Sequence, residues 1–363
     1  IAMAVITGLH LLVQIYAIGY LEMDWGWPRF FGSLSFFEAG LCALVLTDSV
    51  FFSYVILELL TLGTYLIVGT WYNQPLVVKG ARDAFLTKRI GDLILLAGVI
   101  ALLPMTGTWN FHGLQGWAAD LTNNGTPLPM GFQLILLALI AGPMGKCAQF
   151  PMHLWLDEAM EGPNPASILR NSVVVTCGAI VLMKLMPIVA LSPLATQVLL
   201  AVGTISALGG ALVALAQVDL KRAFSYSTTS YLGLVFIAIA LQRPGIALLL
   251  LFAHGLGRAL QFMSVGSIIA TTNCQDLTEL GGLGTRMPAT SMAFLLGSAG
   301  VLGLLPLGGF WCFGLMVEGL RFEAPLFALV FLLTNLLAAA NVTRVYRSGF
   351  LGPALPKTKR APE

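Results

Sequence analysis

The chain has 363 residues, of which 57% are hydrophobic and only 10% carry a charged side chain. An ordinary soluble domain has about 25% charged residues, so this composition excludes a soluble enzyme, a disulfide-rich extracellular domain and a disordered tail. The net charge of +2 gives no electrostatic support for a nucleic-acid partner. Apolar runs of about twenty residues have the length of helices that cross a lipid bilayer. The sequence therefore predicts an all-α polytopic membrane protein in contact with membrane lipids.

Taken in chain order, the hydropathy pattern predicts about eleven transmembrane helices. Their predicted limits are 1–21, 30–47, 49–71, 83–104, 131–150, 166–192, 194–216, 227–242, 244–270, 288–307 and 325–346. Polar connectors are predicted at 22–29, 73–82, 106–130, 217–226 and 271–287. An exposed, loosely ordered tail is predicted at 348–363, with Lys357, Lys359 and Arg360. Because the chain begins at Ile1 inside an apolar run, we expect it to be a piece of a longer protein.

Two apolar stretches contain residues that break helices. The first break runs from Phe150-Pro151 to Pro165, and the second is Pro306-Leu307-Gly308-Gly309-Phe310. In lipid, the backbone groups freed by a break need protein or water partners. Broken helices in corresponding halves of a chain indicate a transport site. A re-entrant loop or a proline kink is the alternative interpretation of either break.

The sequence predicts neither a metal site nor a redox centre on this chain. No two cysteines have metal-ligand spacing, so we interpret all five as small apolar helix residues, at Cys42, Cys147, Cys177, Cys274 and Cys312. The motifs that bind dinucleotides, phosphates or catalytic zinc are absent from the sequence. We therefore expect no nucleotide, flavin or iron–sulfur cluster here, and no residue that is catalytic in the chemical sense.

Ionisable side chains within the apolar spans are the candidate functional residues, because each costs several kcal/mol to bury in hydrocarbon. They are Glu38, Glu58, Asp83, Lys88, Arg89, Asp92, Lys146, Arg170, Lys184, His254 and Arg258. A further polar stripe in the first span consists of His10 and Gln14, one helical turn apart. Each of these residues calls for a partner or a function.

Glu58 stands in the middle of an apolar run, where an unpaired carboxylate would be protonated. Arg89, from the next crossing, is a candidate cation that would keep Glu58 ionised. A purely structural ion pair between two helices is the alternative interpretation.

Lys146 lies just before the first helix break. A lysine can lose its proton when it is desolvated, and a carboxylate that approaches or leaves would then switch its charge. The alternative is a lysine whose amine extends to the membrane surface.

His254 and Arg258 are spaced i, i+4 and share one helix face. Histidine is a natural proton carrier near neutral pH, although a hydrogen-bonded structural histidine is the alternative. Arginine stays protonated under protein conditions, so Arg258 can hold a water chain or a carboxylate but cannot pass on its own proton.

Lys221 belongs to the charged stretch Asp219-Leu220-Lys221-Arg222 at the boundary of a predicted span. Charges at a membrane edge usually act as solvated anchors. The hydroxyl groups of Ser225, Ser227 and Ser230 raise the alternative of a hydrated break in the helix.

Several stretches together resemble the antiporter-like proton-channel subunits of respiratory complex I and of Mrp-type sodium/proton antiporters. These stretches are Gln14-Ile15-Tyr16 to Gly19-Tyr20, Arg29-Phe30-Phe31, Glu58 to Gly69, Ala84-Phe85 to Asp92, Gly145-Lys146 to Gly162-Pro163, Asp219-Leu220-Lys221-Arg222 to Gly233, and His254 to Ser267. Within the family, the sequence is most similar to the distal, or F, subunits of the cyanobacterial and chloroplast NAD(P)H dehydrogenase-like complexes.

The resemblance implies two inverted five-helix repeats, each with a broken helix. The first helix and its connector would occupy 1–29, the repeats 30–192 and 193–347, and the polar tail 348–363. The resemblance also implies a subunit of a proton-translocating NAD(P)H/ferredoxin–plastoquinone oxidoreductase, beside a neighbouring antiporter-like subunit. Iron–sulfur clusters and plastoquinone would lie on other subunits of that complex.

Roles in a proton relay follow from the resemblance by position. Glu58 corresponds to the ion-pair glutamate of the family, Arg89 to its partner, and Lys146 to the lysine of the broken helix. Glu58 and Lys146 would form the proton switch, with Arg89 keeping Glu58 ionised. The second half contributes a matching histidine, His254. The remaining candidates for the relay are Arg258, Glu38, Arg170 and Lys221.

The sequence also departs from the family pattern. Asn171, beside Arg170, stands where the family usually has histidine, and Arg258 stands where it has lysine. Phe313 replaces a titratable residue after Gly309-Phe310-Trp311. This pattern resembles the distal subunits of cyanobacterial thylakoid complexes that take up carbon dioxide and carry a peripheral carbonic-anhydrase-like Cup protein. The resemblance implies that electron flow and proton movement are coupled to carbon dioxide hydration, with Glu38 as a candidate proton acceptor.

Two other functions stay open. An ordinary pumping subunit or a sodium/proton antiporter is one alternative, and the missing titratable residue at Phe313 argues against it. A non-conducting membrane anchor for a peripheral partner is the other, although an anchor has no need to bury Glu58 and Lys146.

Overall fold

The computed structural model describes residues 2–304, 306–359 and 361, which form helices and no β-strand. The α-helices, in chain order, are α1 Ala2–Tyr20, α2 Trp27–Leu46, α3 Val50–Val68, α4 Pro75–Thr106, α5 Phe111–Asn123, α6 Phe132–Lys146, α7 Leu154–Glu158, α8 Asn164–Ser172, α9 Cys177–Val189, α10 Pro193–Ala216, α11 Leu220–Ala240, α12 Pro244–Thr272, α13 Pro288–Leu302, α14 Gly308–Leu320 and α15 Pro325–Gly349. Short 3₁₀ turns connect several of them.

Nine helical segments among the described residues are long and apolar enough to cross a membrane. One of them, Asn164–Val189, combines α8 and α9, and three shorter apolar helices (α6, α13 and α14) accompany the nine. The predicted all-α polytopic membrane fold is therefore confirmed.

Hydropathy alone gave some wrong limits. Helix α4 begins at Pro75, inside the predicted connector 73–82, and α5 lies inside the predicted connector 106–130. Helix α5 is amphipathic and buries little more than Phe111 and Leu114. Its polar face lowers the mean hydropathy of the segment, so a search for apolar spans does not detect it. Helix α14 was missed altogether, because it begins only after the second break and its 13 residues are shorter than a full span.

The stretch around Lys221 is helical rather than broken. Helix α11 begins at Leu220 and continues without interruption, so the alternative of a hydrated break near Ser227 is wrong. Asp219 begins the helix as its N-cap, because its Oδ1 accepts a hydrogen bond from the Arg222 backbone N–H at 2.9 Å.

Both predicted helix breaks are present. The first separates α6 from α8 and contains the one-turn helix α7. The second ends before Gly308, the first residue of α14, so the predicted limit at Phe310 is wrong. The predicted span 166–192 is itself divided by a 3₁₀ turn at Val174–Thr176.

The tail is more ordered than the sequence suggested. Thr358 is buried, and its Oγ1 donates a hydrogen bond to the Gly281 carbonyl at 2.7 Å. Lys357 forms an ion pair with Glu279, whose pKa this hydrogen bond lowers. The expectation for Arg360 lies outside the described residues. The described tail is therefore docked on the connector that precedes α13.

Two backbone bridges occupy matching places in the two halves of the chain. The Val50 N–H donates to the Trp109 carbonyl at 2.8 Å, and the Leu220 N–H donates to the Gln275 carbonyl at 2.8 Å. The start of α3 is thus joined to the connector after α4 in the first half, and the start of α11 is joined to the connector after α12 in the second. The limits of the predicted repeats, 30–192 and 193–347, stay a prediction.

Close packing of α4 against α6 positions the candidate site. A Cβ added to Gly91 would lie 3.0 Å from the Ala141 carbonyl oxygen, and one added to Gly142 would lie 2.8 Å from the Leu95 Cβ. Small residues let membrane helices approach closely. This approach brings charged side chains of α4 and α6 to one interface.

Candidate functional site

Glu58 of α3 and Arg89 of α4 form an ion pair, as the sequence predicted. The Tyr54 hydroxyl also donates to Glu58 Oε1 at 2.9 Å. The side chains of Glu58 and Arg89 are 17% and 42% exposed, respectively. The pair therefore lies at the margin of the helix bundle, where it is open to the surroundings of this chain.

Lys146, at the last position of α6, is buried and pairs with a carboxylate that the sequence analysis had not assigned to it. Its Nζ donates to Asp92 Oδ2 at 2.6 Å, to the Leu57 carbonyl at 3.0 Å and to Thr61 Oγ1. The side chains of Lys146 and Asp92 are only 2% and 1% exposed. All three donors of the ammonium group thus have acceptors, and the alternative of an amine that reaches the surface is wrong.

Asp92, rather than Glu58, is the carboxylate that neutralises Lys146 in this structure. Helical spacing explains the arrangement, because Asp92 follows Arg89 by three residues and Thr61 follows Glu58 by three. The Glu58–Arg89 pair and the Asp92–Lys146 pair therefore lie about one helical turn apart along α3 and α4. The signal for Asp92 was present in the sequence, since it is one of the charged residues inside a predicted span.

The first helix break is held close to Lys146 by a buried tryptophan. The Trp155 indole N–H of α7 donates to the Gly145 carbonyl at 2.7 Å. Lys88 Nζ lies 3.5 Å from the centroid of the Trp155 ring and donates to Thr64 Oγ1 at 2.8 Å. Sequence reasoning gave Lys88 no role, yet it is a second buried lysine one turn from Asp92 on the same helix.

Arg170 and His254 lie where the two halves meet. Arg170 of α8 is fully buried, and among the described residues it donates only to neutral groups of its own helix, the Ala166 carbonyl at 3.2 Å and Ser167 Oγ at 2.9 Å. His254 of α12 is also buried, and its Nε2 donates to the Asn171 carbonyl at 2.8 Å. This hydrogen bond joins α12 of the second half to α8 of the first.

Arg258 lines a cavity in the second half. Its Nη1 donates to Gln261 Oε1 at 2.8 Å, and its Nη2 donates to Ser227 Oγ at 3.0 Å. Phe313 lines the same cavity, with its ring centroid 6.2 Å from that of Tyr231. The side chains of Arg258 and Phe313 thus line one cavity in the second half.

Lys221 ties α11 to the first helix break. Its side chain is buried, and its Nζ donates to the Gly162 carbonyl at 3.1 Å. The adjacent Arg222 pairs with Asp157 at 2.8 Å and with Glu161 at 3.0 Å. The alternative of a solvated anchor is therefore wrong for Lys221.

Glu38 belongs to a separate cluster between α1 and α2. Its Oε2 accepts a hydrogen bond from Gln14 Nε2 at 3.2 Å and lies 3.9 Å from Nδ1 of the fully buried His10. No hydrogen bond or ion pair among the described residues joins this cluster to Lys146. His10 and Gln14, the predicted polar stripe of α1, therefore form one cluster with Glu38 of α2.

No group of three or more His, Cys, Asp or Glu side chains in the described part of the chain could hold a metal ion. The five cysteines are free, but Cys147 and Cys274 lie outside the α-helices, so their interpretation as helix residues is wrong.

Comparison with known proteins connects these features to a family. Residues 47–338 match the model for the transmembrane region of NADH:quinone oxidoreductase and Mrp antiporters. Residues 1–31 match the model for the N-terminus of chain 5 of NADH-ubiquinone oxidoreductase, complex I. The first match covers the helices that carry the buried charged residues, and the second covers α1.

Individual relatives give a consistent result. The chain is 62% identical over 362 residues to NAD(P)H-quinone oxidoreductase subunit 5, organellar chromatophore 2, of Paulinella chromatophora, covering 100% of this chain and 58% of the relative. It is 34% identical over 358 residues to the chloroplastic subunit 5 of Citrus sinensis, covering 96% of this chain and 48% of the relative. The chain therefore spans about half the length of the curated relatives it matches.

A solved structure shows the same arrangement of helices. One chain of the membrane-bound sulfane sulfur reductase, an archaeal respiratory membrane complex, superposes with a TM-score of 0.87 at 21% identity. The superposition covers 99% of this chain and 73% of that one. At this level of identity, the likeness shows a shared fold.

Proposed function

This chain belongs to the NADH:quinone oxidoreductase/Mrp antiporter family, and from that membership we propose that it moves protons across the membrane as a subunit of an NAD(P)H–quinone oxidoreductase complex. The observation that carries the proposal is the buried pair of Lys146 and Asp92 beside a helix break. Ionisable residues inside a membrane are costly and mark proton or ion pathways.

The contacts of Lys146 suggest how the site works. Asp92, whose Oδ2 lies 2.6 Å from Lys146 Nζ, is the counter-charge of this buried ammonium group. If Asp92 turns away, the buried ammonium loses its counter-charge and releases its proton. The return of Asp92 prepares the amine to take up the next proton.

The neighbouring ion pair provides a way to move Asp92. Arg89 pairs with Glu58 in this structure, and it lies three residues before Asp92 on α4. Protonation of Glu58 would free Arg89 to attract Asp92 along its own helix. In this proposal, a proton that arrives at Glu58 triggers the release of another from Lys146.

The second half offers fewer groups that can exchange a proton. Arg258 stays protonated, and Phe313 has no proton to give at the place of the family's titratable residue. Lys221 and His254 of this half, like Arg170 of the first, are buried but are held by neutral hydrogen-bond partners. The place of these side chains in the proton relay stays a prediction.

The smaller number of proton-exchanging groups in the second half supports a more specific proposal, in which the complex takes up carbon dioxide. Electron transfer from ferredoxin to plastoquinone, on subunits that carry the iron–sulfur clusters, would drive hydration of carbon dioxide by a peripheral carbonic-anhydrase-like Cup protein. The Glu38–His10 cluster is a candidate acceptor for the proton of that reaction. A cyanobacterial thylakoid membrane is the proposed location.

The role of Lys146 is tested by measuring proton translocation during quinone reduction, in membrane vesicles that carry the complete complex. We expect Lys146→Ala to abolish most of the translocation that depends on this subunit. The matched control is Lys184→Ala, because Lys184 is a partly buried lysine of α9 whose Nζ donates to backbone carbonyls in α2 and at its end and lies 5.2 Å from the centroid of the Phe111 ring. Wild-type translocation by an assembled Lys146→Ala complex would contradict the proposal.

Carbon dioxide uptake by intact cells tests the specific form of the proposal. We expect both Lys146→Ala and Glu38→Gln to lower uptake without loss of the assembled complex. Sodium-dependent transport without electron transfer would instead favour an antiporter. Unchanged uptake after neutralising both Glu58 and Lys146 would favour a membrane anchor.

A further inference from the structure

Positive side chains outnumber negative ones in the described interior. Five cationic side chains are 4% exposed or less, namely Lys88, Lys146, Arg170, Lys221 and Arg258. The buried carboxylates in the same part of the chain are Asp92 and Asp157. Asp92 pairs with Lys146, and Asp157 pairs with Arg222. Several buried cations are therefore left without a carboxylate.

Arg258 is the clearest case, because it cannot lose its charge by releasing a proton. Its side chain is 1% exposed, and its hydrogen bonds go to the neutral oxygens of Gln261 and Ser227. Its Nε, also buried, has no hydrogen-bond partner among the described residues. A buried charge without a counter-charge is strongly destabilising, so this guanidinium calls for an anion.

The cavity beside Arg258 has the chemistry of an anion site. The cavity is small: its volume of about 10 Å³ leaves room for one particle of about the size of a water molecule. Two buried lining hydroxyls, Tyr231 Oη and Thr334 Oγ1, have no partner among the described residues and can each donate a hydrogen bond. Phe313 and Leu234 supply an apolar wall. A lining that combines hydrogen-bond donors with apolar side chains suits a small anion that loses its hydration water easily.

We propose that this cavity binds one small monatomic anion of single charge, of the chloride class. The Arg258 guanidinium supplies the opposite charge, and the Tyr231 and Thr334 hydroxyls donate hydrogen bonds to the anion. A single charge matches the single cation that lines the cavity. The bound anion neutralises the centre of the second half, independently of any proton carried by Lys146.

The test uses the complete complex, purified into a chloride-free gluconate buffer. Chloride is titrated in, and line broadening of the ³⁵Cl magnetic resonance signal measures saturable binding. We expect Arg258→Gln to weaken this binding by about 30-fold or more, because truncating one partner of a buried charge pair costs several kcal/mol. Arg243→Gln is the matched control, since Arg243 lies in the same half but forms an exposed ion pair with Glu323. We expect that variant to bind chloride as the wild type does.

A second variant keeps the charge of Arg258. Thr334→Val removes one hydroxyl donor while preserving the shape of the side chain, and we expect weaker chloride binding from an assembled complex. Added bicarbonate should leave the chloride bound, because its four heavy atoms are too large for the cavity, and competitive displacement by bicarbonate would contradict the proposed site. The proposal is overturned if the wild type shows no saturable component, or if Arg258→Gln and Thr334→Val both bind chloride with unchanged affinity.

Discussion

Replacing Asp92 with asparagine would remove the counter-charge of Lys146 while preserving the size of the side chain. The carboxylate lies 2.6 Å from Lys146 Nζ, and both side chains are at most 2% exposed. Removing one partner of a buried ion pair costs about 3–5 kcal/mol, because the other charge stays buried without compensation. The asparagine carbonyl oxygen still accepts a hydrogen bond, so we expect a loss of about 3 kcal/mol, at the lower end of that range.

A double-mutant cycle separates this interaction from the other effects of each change. The variants are Asp92→Asn, Lys146→Met and the two combined, and the measurement is the free energy of unfolding of the detergent-solubilised protein. We expect the double variant to be more stable than the sum of the single changes by about 2–3 kcal/mol, the upper range for residues in direct contact. Single changes that add to within about 0.5 kcal/mol would refute the interaction.

Three further predictions concern packing, the outer ion pair and the tail. Gly233→Ala places a Cβ 2.5 Å from the Gly203 carbonyl oxygen, so we expect unfolding measurements to show a loss of about 1–3 kcal/mol, whereas Gly209→Ala, with open space around its Cβ, should lose nothing. Arg89→Gln should lower stability by less than Asp92→Asn does, because Glu58 is less buried than Asp92 and keeps the hydrogen bond from Tyr54, and an equal or larger loss in the same measurement would contradict this order. Glu279→Gln should release the docked tail, so that trypsin cleaves it faster at neutral pH than in the wild type. Because the pKa of Glu279 is lowered by its hydrogen bond with Lys357, the wild-type contact should persist at neutral pH and be lost only as the pH falls through that lowered pKa.

The sequence located the important residues of the first half better than it paired them. A lysine next to a helix break and charges inside apolar spans are local features, so Lys146, Glu58 and Arg89 could be identified by reading along the chain. The choice between Glu58 and Asp92 as the partner of Lys146 depends on which faces of α3 and α4 meet α6. That choice is made by the close approach at Gly91 and Gly142, which no hydropathy pattern contains.

Errors in the helix limits have a related cause. Hydropathy detects spans that face lipid, but α5 presents a polar face and α14 is shortened by the second break. Lys221 seemed to mark a membrane edge because charged neighbours surround it in the sequence. In the fold, it is buried against the Gly162 carbonyl of a distant segment, a contact that spacing along the chain cannot show.

The most direct test of the central proposal is the number of protons translocated per quinone reduced. The measurement compares vesicles that carry wild-type complexes with vesicles that carry assembled Lys146→Met complexes. If the Lys146–Asp92 site carries protons, the ratio falls in the variant while electron transfer from the donor persists. An unchanged ratio in fully assembled Lys146→Met complexes would show that protons cross the membrane without this site.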